Sequence, residues 1–199
     1  MQTSRGGRMK SVLISIRPKW TEKIARGEKT IEVRKTAPQE VPFKCYIYET
    51  KGQYVKFTHG AHTKYGYGRG KVIGEFICDR IEMVNAKCSN YGIDLFYHDC
   101  LTNGCLTERE IEKYFNVPED RDLRAMKGNG YVWNISDLKI YDKPKELSEF
   151  RKPCPYGDLP CWICPSCDKD ENDNLIQCFN TVSRPPQSWQ YIEDLGEKE

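Results

Sequence analysis

Several things are missing from the sequence, and each absence excludes something. No apolar run in its 199 residues approaches the ~20 needed to span a bilayer, so no membrane-spanning helix and no membrane partner is expected. Met1–Arg8 is polar and basic with no apolar segment behind it. It does not read as a signal peptide, and residues 1–8 are read as a disordered leader. Net charge is only +2, so the chain is no polycation and any nucleic-acid site must come from local clustering. There is no internal repeat. Without a secretory signal, ten cysteines point to a reducing compartment and a cytoplasmic location.

What is present fits one globular domain with a real core: 38% hydrophobic and 30% charged residues, twelve Tyr and four Trp. Ser11–Ile16 reads as a strand with Val12, Ile14 and Ile16 on one face. Pro18 suits a first helical turn, and Trp20 and Ile24, four apart, share a helix face that plugs the core. Phe43–Glu49, Lys71–Met83, Tyr131–Tyr141 and Trp189–Ile192 read as further strands. Gly74 marks a bulge or a close backbone approach. Glu75 beside it reads as an exposed strand residue or a second carboxylate in a cleft. Asn85–Gly104 reads as irregular and polar. Thr107-Glu108-Arg109-Glu110 is a capping box that opens a helix to about Asn116, and Lys145–Phe150 is a short helical or turn segment.

The stretch Gly27-Glu28-Lys29-Thr30-Ile31-Glu32-Val33-Arg34 concentrates charge at close spacing. Gly27 suits a helix C-terminus. By strand alternation Ile31 and Val33 face one way, and Thr30, Glu32 and Arg34 the other. Lys29 falls opposite Glu32 and Arg34, and joins them only if the strand begins after it. Alternation therefore does not favour convergence of Lys29 and Glu32. Glu32 and Arg34 are expected as an exposed pair worth ~0–1 kcal/mol of stability.

Gly27, Lys29, Glu32 and Arg34 form Gly-x-Lys-x-x-Glu-x-Arg, which resembles the signature of the ASCH domain family, a branch of the PUA-like proteins. Ser11–Trp20, Gly70–Asp79, Tyr131–Phe150 and Arg184–Glu193 resemble its bacterial and phage-borne members. The resemblance implies an α+β, mainly β fold: a small PUA-like closed β-barrel with two or three short helices and a motif-lined cleft. The expected layout is a barrel over residues 9–150, a cysteine-rich insert over 151–183, a returning strand over 184–193 and a tail over 194–199.

Between Thr50 and Lys71 stand five glycines, five Lys or Arg, two His and three Tyr, with no acid. Cations interleaved with rings suit a single-stranded backbone with splayed bases, and Lys64, Tyr65, Tyr67 and Arg69 are the candidate contacts. A solvated glycine-rich hairpin is the plainer reading. His59 and His62 read as loop histidines.

Cys45, Cys78, Cys88, Cys100 and Cys105 are scattered and read as free thiols. The other five crowd the insert. Cys161-x2-Cys164-x2-Cys167, with Cys154 before and Cys178 after, has the turn spacing of a tetrahedral zinc site. Cys154, Cys161, Cys164 and Cys167 are the expected ligands of a structural Zn²⁺, with Cys178 the alternative to Cys154. The last spacing departs from the ferredoxin iron–sulfur run.

Two functions follow. What the resemblance implies is binding of RNA or a modified nucleotide, with Lys29 and Arg34 on phosphate or a base edge and Glu32 accepting from an exocyclic amine. The alternative is a hydrolase acting on nucleic-acid substrates. Some ASCH relatives are N4-acylcytidine amidohydrolases using a Lys, a nucleophilic Thr and a Glu; here Glu32 stands where that threonine would be. Other relatives are implicated in RNA cleavage, for which Lys29 and Glu32 would supply cation and general base.

Overall fold

The computed structural model describes residues 9–59, 62–117, 125–156, 165, 167–172, 175–178 and 180–193, side chains at 57–59, 62 and 175–178 excepted. Among the described residues three α-helices, α1 (Pro18–Ala25), α2 (Asn90–Thr102) and α3 (Glu108–Phe115), and one 3-10 turn, Leu147–Glu149, accompany twelve strands. A five-stranded sheet runs in the order β12 (Trp189–Ile192), β1 (Lys10–Ile16), β3 (Phe43–Glu49), β6 (Lys71–Cys78), β9 (Ser136–Lys145). A three-stranded sheet has the order β2 (Ile31–Arg34), β8 (Asn129–Asn134), β7 (Ile81–Asn85). Two hairpins complete the set: β4 (Gly52–His59) with β5 (His62–Gly68), and β10 (Cys167–Lys169) with β11 (Leu175–Cys178). Among the described residues no helix is long and apolar enough to cross a membrane.

The α+β, mainly β class holds. The expected closed barrel does not appear as strand pairing: among the described residues no sheet closes on itself. The two long strands of the sequence reading are each broken where the chain passes between sheets. Lys71–Met83 divides at Asp79–Arg80 into β6 and β7, and Tyr131–Tyr141 divides at Ile135 into β8 and β9.

Burial explains why β1 is nearly all apolar. It pairs in parallel with β3 and antiparallel with β12, and is covered on both faces. Val12, Ile14 and Ile16 meet Phe43, Phe76 and Trp133 in the central core, which Ile24 of α1 joins as the plug. Leu13 faces the other way, with Tyr46 and Val72 under Phe150 and Val182. A third core lies between the three-stranded sheet and α2–α3, where Ile31, Val33 and Val132 meet Ile93, Phe96, Ile111 and Phe115.

Helix α2 corrects the irregular reading of Asn85–Gly104. Ser89 caps it, its Oγ accepting from Gly92 N at 3.2 Å, and Ile93, Phe96 and Cys100 recur on one buried face. Helix α3 has the capping box the sequence announced, and ends on Asn116 in the left-handed region at φ 54°. Glu75 accepts from the Tyr141 hydroxyl on the outer face of β6, away from the motif.

Gly74 is both a bulge and a close approach. The β6–β9 register shifts there, and a Cβ would lie 2.5 Å from the Lys139 carbonyl oxygen. Gly74→Ala should therefore destabilise the chain by about 1–3 kcal/mol, the cost of overpacking. A urea midpoint equal to the parent's would show that β9 moves away at no cost.

Candidate nucleic-acid interface

Helix α1 hands the chain to β2 through a tight exit. Gly27, at φ +73°, donates to Ile24 O, and the amides of Glu28 and Lys29 both donate to Lys23 O at 2.9 and 3.2 Å. Strand geometry begins only at Ile31, so Lys29 is not bound by alternation. Its Nζ donates to Gly104 O at 2.9 Å, in the turn after α2, and stands 3.4 Å from Glu32 Oε2. The same Nζ lies 5.6 Å from the centre of the Trp20 ring. Lys29 and Glu32 thus converge, against the expectation from alternation.

Glu32 and Arg34 do share a face, as expected. Glu32 Oε1 pairs with Arg34 Nη2 at 2.9 Å. Arg34 Nη2 also donates to Ser15 O at 2.7 Å, and Nη1 reaches Ser188 Oγ at 3.5 Å. Ile31 and Val33 turn to the α2–α3 core. The expectation of an exposed pair is overturned: Lys29, Glu32 and Arg34 are 3%, 6% and 9% exposed. The strand is covered on both faces, by helices on one side and the five-stranded sheet on the other.

Three polar atoms here are buried without a hydrogen-bond partner: Glu32 Oε2, Arg34 Nε and Trp133 Nε1. Trp133 is the cross-strand partner of Glu32. The thiols around the site stay protonated. Burial, and then Cys78, push Cys45 up, with the Arg34 charge opposing. Burial pushes Cys100 up to about 12 despite Lys29 nearby. Thr30 is exposed, its backbone bonded to Asn103 and Ile135, so it does not join Lys29 and Glu32.

The acid-free stretch is the β4–β5 hairpin. Its register sets Gln53 opposite Tyr67 and Val55 opposite Tyr65, so the two rings share one face. Tyr67 is 72% and Tyr65 50% exposed. Lys64 and Arg69 are exposed too, and the Arg69 amide is held by Glu49 Oε1 at 2.9 Å. The other face of the hairpin lies toward α1. Glycine makes this possible: a Cβ at Gly66 would lie 2.5 Å from the Tyr54 ring, and one at Gly68 would strike Thr50 O and Pro18.

Between α1 and the hairpin runs a groove of about 850 Å³. Arg17, Lys19, Lys23, Arg26, Lys51 and Lys56 line it, with Glu22 and Glu28 as its carboxylates. Glu22 anchors the hairpin to the helix. It pairs with Arg26 at 2.5 Å and Lys56 at 3.7 Å, and accepts from the Tyr54 hydroxyl. Among the lining residues cations exceed carboxylates by four, a large local excess in a chain of net +2. The sequence reading missed the α1 cations. Their signal was Lys19 and Lys23 one turn apart with Arg26 beyond.

The expected zinc ligands divide. Cys161 and Cys164 lie outside the described residues. Cys154 and Cys167 are half-buried, and Cys154 N donates to Glu193 Oε1 at 3.1 Å. His59 and His62 face each other across the β4–β5 turn.

No family model and no curated protein matches the chain. Solved structures do. The crystal structure of ASCH from Zymomonas mobilis aligns with a TM-score of 0.53 at 17% identity, over 92% of this chain and 87% of that one. A serine-to-alanine mutant of the same Zymomonas protein aligns at 0.53 and 17%, over 93% and 89%. A tyrosine-to-phenylalanine mutant of it aligns at 0.52 and 15%, over 93% and 91%. The chain therefore has an ASCH-like fold.

Removing Arg34 leaves the Glu32 carboxylate with one of its two cations in a site closed to water. Arg34→Ala should cost about 3–5 kcal/mol, read as a lower urea midpoint at unchanged m-value. A loss under about 1 kcal/mol would mean that the pair is solvated, as surface pairs are.

Proposed function

We propose that this chain is an ASCH-like cytoplasmic module that binds RNA or a modified nucleotide, reading a base at Lys29, Glu32 and Arg34. The observation that carries the reading is the set of buried atoms at that site that lack a hydrogen-bond partner, Glu32 Oε2 having only its ion pair with Lys29 at 3.4 Å. Native interiors satisfy nearly all such groups, so three on facing strands call for a partner. They comprise one acceptor, Glu32 Oε2, and two donors, Arg34 Nε and Trp133 Nε1. A base edge with an exocyclic amine and neighbouring acceptors, such as cytosine's, complements that set. Trp20 is half-buried beside this site, with Lys19 Nζ 4.2 Å and Lys29 Nζ 5.6 Å from its ring centre.

The hairpin and groove support the same reading on other grounds. A concave track rich in cations follows a phosphodiester backbone, and the exposed Tyr65 and Tyr67 accept stacked bases of any kind. The groove runs along the hairpin face that turns away from those rings, so one strand passing over the hairpin edge meets charge first and rings second.

A second reading, hydrolysis, is favoured by the 3.4 Å approach of Lys29 Nζ to Glu32. A general base beside a cation suffices for RNA cleavage. With Glu32 at the threonine position and Thr30 exposed, the threonine-dependent amidohydrolase route lacks its nucleophile.

The test is binding and turnover on single-stranded RNA, single-stranded DNA and N4-acetylcytidine. Single-stranded RNA should bind with affinity that falls with salt, at a slope of ~0.7 per phosphate neutralised. Replacing Lys64 and Arg69 together by Ala should reduce that slope by ~1–1.5, and Arg17 with Lys51 by a similar amount. Glu32→Gln should abolish base preference while keeping the salt slope. Slopes unchanged in both double variants would remove the hairpin and groove from the interface. Turnover lost in Lys29→Met and Glu32→Gln would establish the hydrolase reading.

A further inference from the structure

Strand β12 is the outer strand of the five-stranded sheet, and its free edge can be read residue by residue. It pairs with β1 in antiparallel register, with Ser11 opposite Ile192, Val12 opposite Tyr191, Leu13 opposite Gln190 and Ile14 opposite Trp189. Ser15 N donates to Ser188 O at 2.9 Å, one step further along the same register. In an antiparallel ladder, pairs that exchange hydrogen bonds alternate with pairs that do not. Leu13–Gln190 and Ser11–Ile192 are therefore bonded pairs, and Trp189 and Tyr191 turn their N–H and C=O groups away from β1. Glu193, the next residue in that alternation, confirms the direction: its N–H donates outward to Arg151 O at 2.9 Å. At Trp189 and Tyr191, among the described residues, no backbone group takes up the edge.

This edge is recessed. A cavity of about 840 Å³ lies along it, walled by Ala37 and Gln39 from the loop between β2 and β3 and by Pro153 from the segment beside Glu193. Trp189 and Tyr191 line the cavity with ring centres 5.4 Å apart and planes at 90°, and the indole is held by donation from Nε1 to Thr36 Oγ1 at 3.0 Å. Ser11 lines it too; it is 3% exposed, and its Oγ has no hydrogen-bond partner. Pro153 has no N–H to offer the edge.

We propose that the β12 edge docks an extended, uncharged peptide segment of a partner protein, which joins the sheet as a sixth strand. Two N–H and two C=O groups recur there at the two-residue period of a strand. An extended polypeptide matches that period, its main chain giving affinity and its alternate side chains specificity. Peptide residues opposite Trp189 and Tyr191 share their face, so aromatic or β-branched residues at alternate positions fit the ring corner. A nucleic-acid strand is disfavoured by charge. Lys10 and Glu193 are the charged lining residues and cancel, and Lys10 is also paired with Glu40 at 2.9 Å. The α1 groove, by contrast, has four more cations than carboxylates. A second copy of this chain is disfavoured by shape, since it would bring the same walls and two recessed edges do not meet.

The experiment is amide hydrogen exchange on the full chain, alone and with heptapeptides selected on it from a displayed random library. In the free chain the amides of Trp189 and Tyr191 should exchange at least about tenfold faster than those of Gln190 and Ile192, which β1 holds. Selected peptides should alternate aromatic or β-branched residues and slow the Trp189 and Tyr191 amides. N-methylation of alternate peptide amides should weaken binding about tenfold in one phase of the alternation and little in the other. Tyr191→Pro removes an edge donor that β1 does not use and should abolish binding; where that variant fails to fold, the N-methyl series decides. Slow exchange at both amides in the free chain would overturn the proposal, as would a library that yields no peptide protecting them. Protection by single-stranded RNA alone, or protection that rises with protein concentration as a dimer forms, would overturn it too.

Discussion

One carboxylate held between two cations in a dry site fixes how the layers of this protein meet. Glu32 sits between Lys29 and Arg34, all three buried. Taking three charges out of water costs several kcal/mol each, and mutual attraction offsets this only where the remaining polar atoms find partners. Lys29 finds the Gly104 carbonyl and Arg34 the Ser15 carbonyl. These bonds reach the exit of α1, the turn after α2, strand β1 and the approach to β12. Shifting any of these segments leaves a charge uncompensated. An apolar set of similar volume would hold the layers together equally well but would present nothing to a polar ligand.

The hairpin obeys a second constraint, set by glycine. Gly66 and Gly68 remove side chains from the face toward α1, and Tyr54 and Pro18 occupy the room. Bulk is thus confined to the opposite face, where Tyr65 and Tyr67 stand exposed. Glu22 ties Arg26, Lys56 and Tyr54 across the gap. Glu28 is likewise shared, between Lys23 and Arg26. Each carboxylate of the groove thus answers two cations, and positive charge stays in excess along it. A groove of one sign walled by protein focuses its field on the space between.

The sequence made some of this legible and hid the rest for identifiable reasons. The faces of β2 could be read because Ile31, Glu32, Val33 and Arg34 alternate and the strand is short. The place of Lys29 could not, because it depends on two amides sharing the Lys23 carbonyl and on Gly104, seventy-five residues away. Burial of Glu32 and Arg34 was equally hidden, since strand chemistry says which residues share a face and not what covers it. The capping box of α3 is local and was read correctly. Helix α2 was missed because Gly92, Asp94 and His98 mask the recurrence of Ile93, Phe96 and Cys100. The α1 cations went unremarked because the hairpin that makes a groove of them comes from a later part of the chain. The breaks at Asp79–Arg80 and Ile135 belong to the passage between sheets and leave no local trace.

The cysteine insert illustrates how such a chain gains a part without disturbing its core. Phe150 and Val182 bracket it, both fully buried in the same outer-face cluster with Leu13, Tyr46 and Ile192. The ends of the insert are therefore held by the sheet. Closing a loop costs little more as it lengthens, about 0.6 kcal/mol for each doubling, so the sheet tolerates almost any length between those two residues. The insert gains nothing from this arrangement beyond its anchored ends. The antiparallel contacts at Arg151–Thr181 and Lys152–Asn180 extend that anchoring only a few residues outward. Past them the segment is polar and broken by proline.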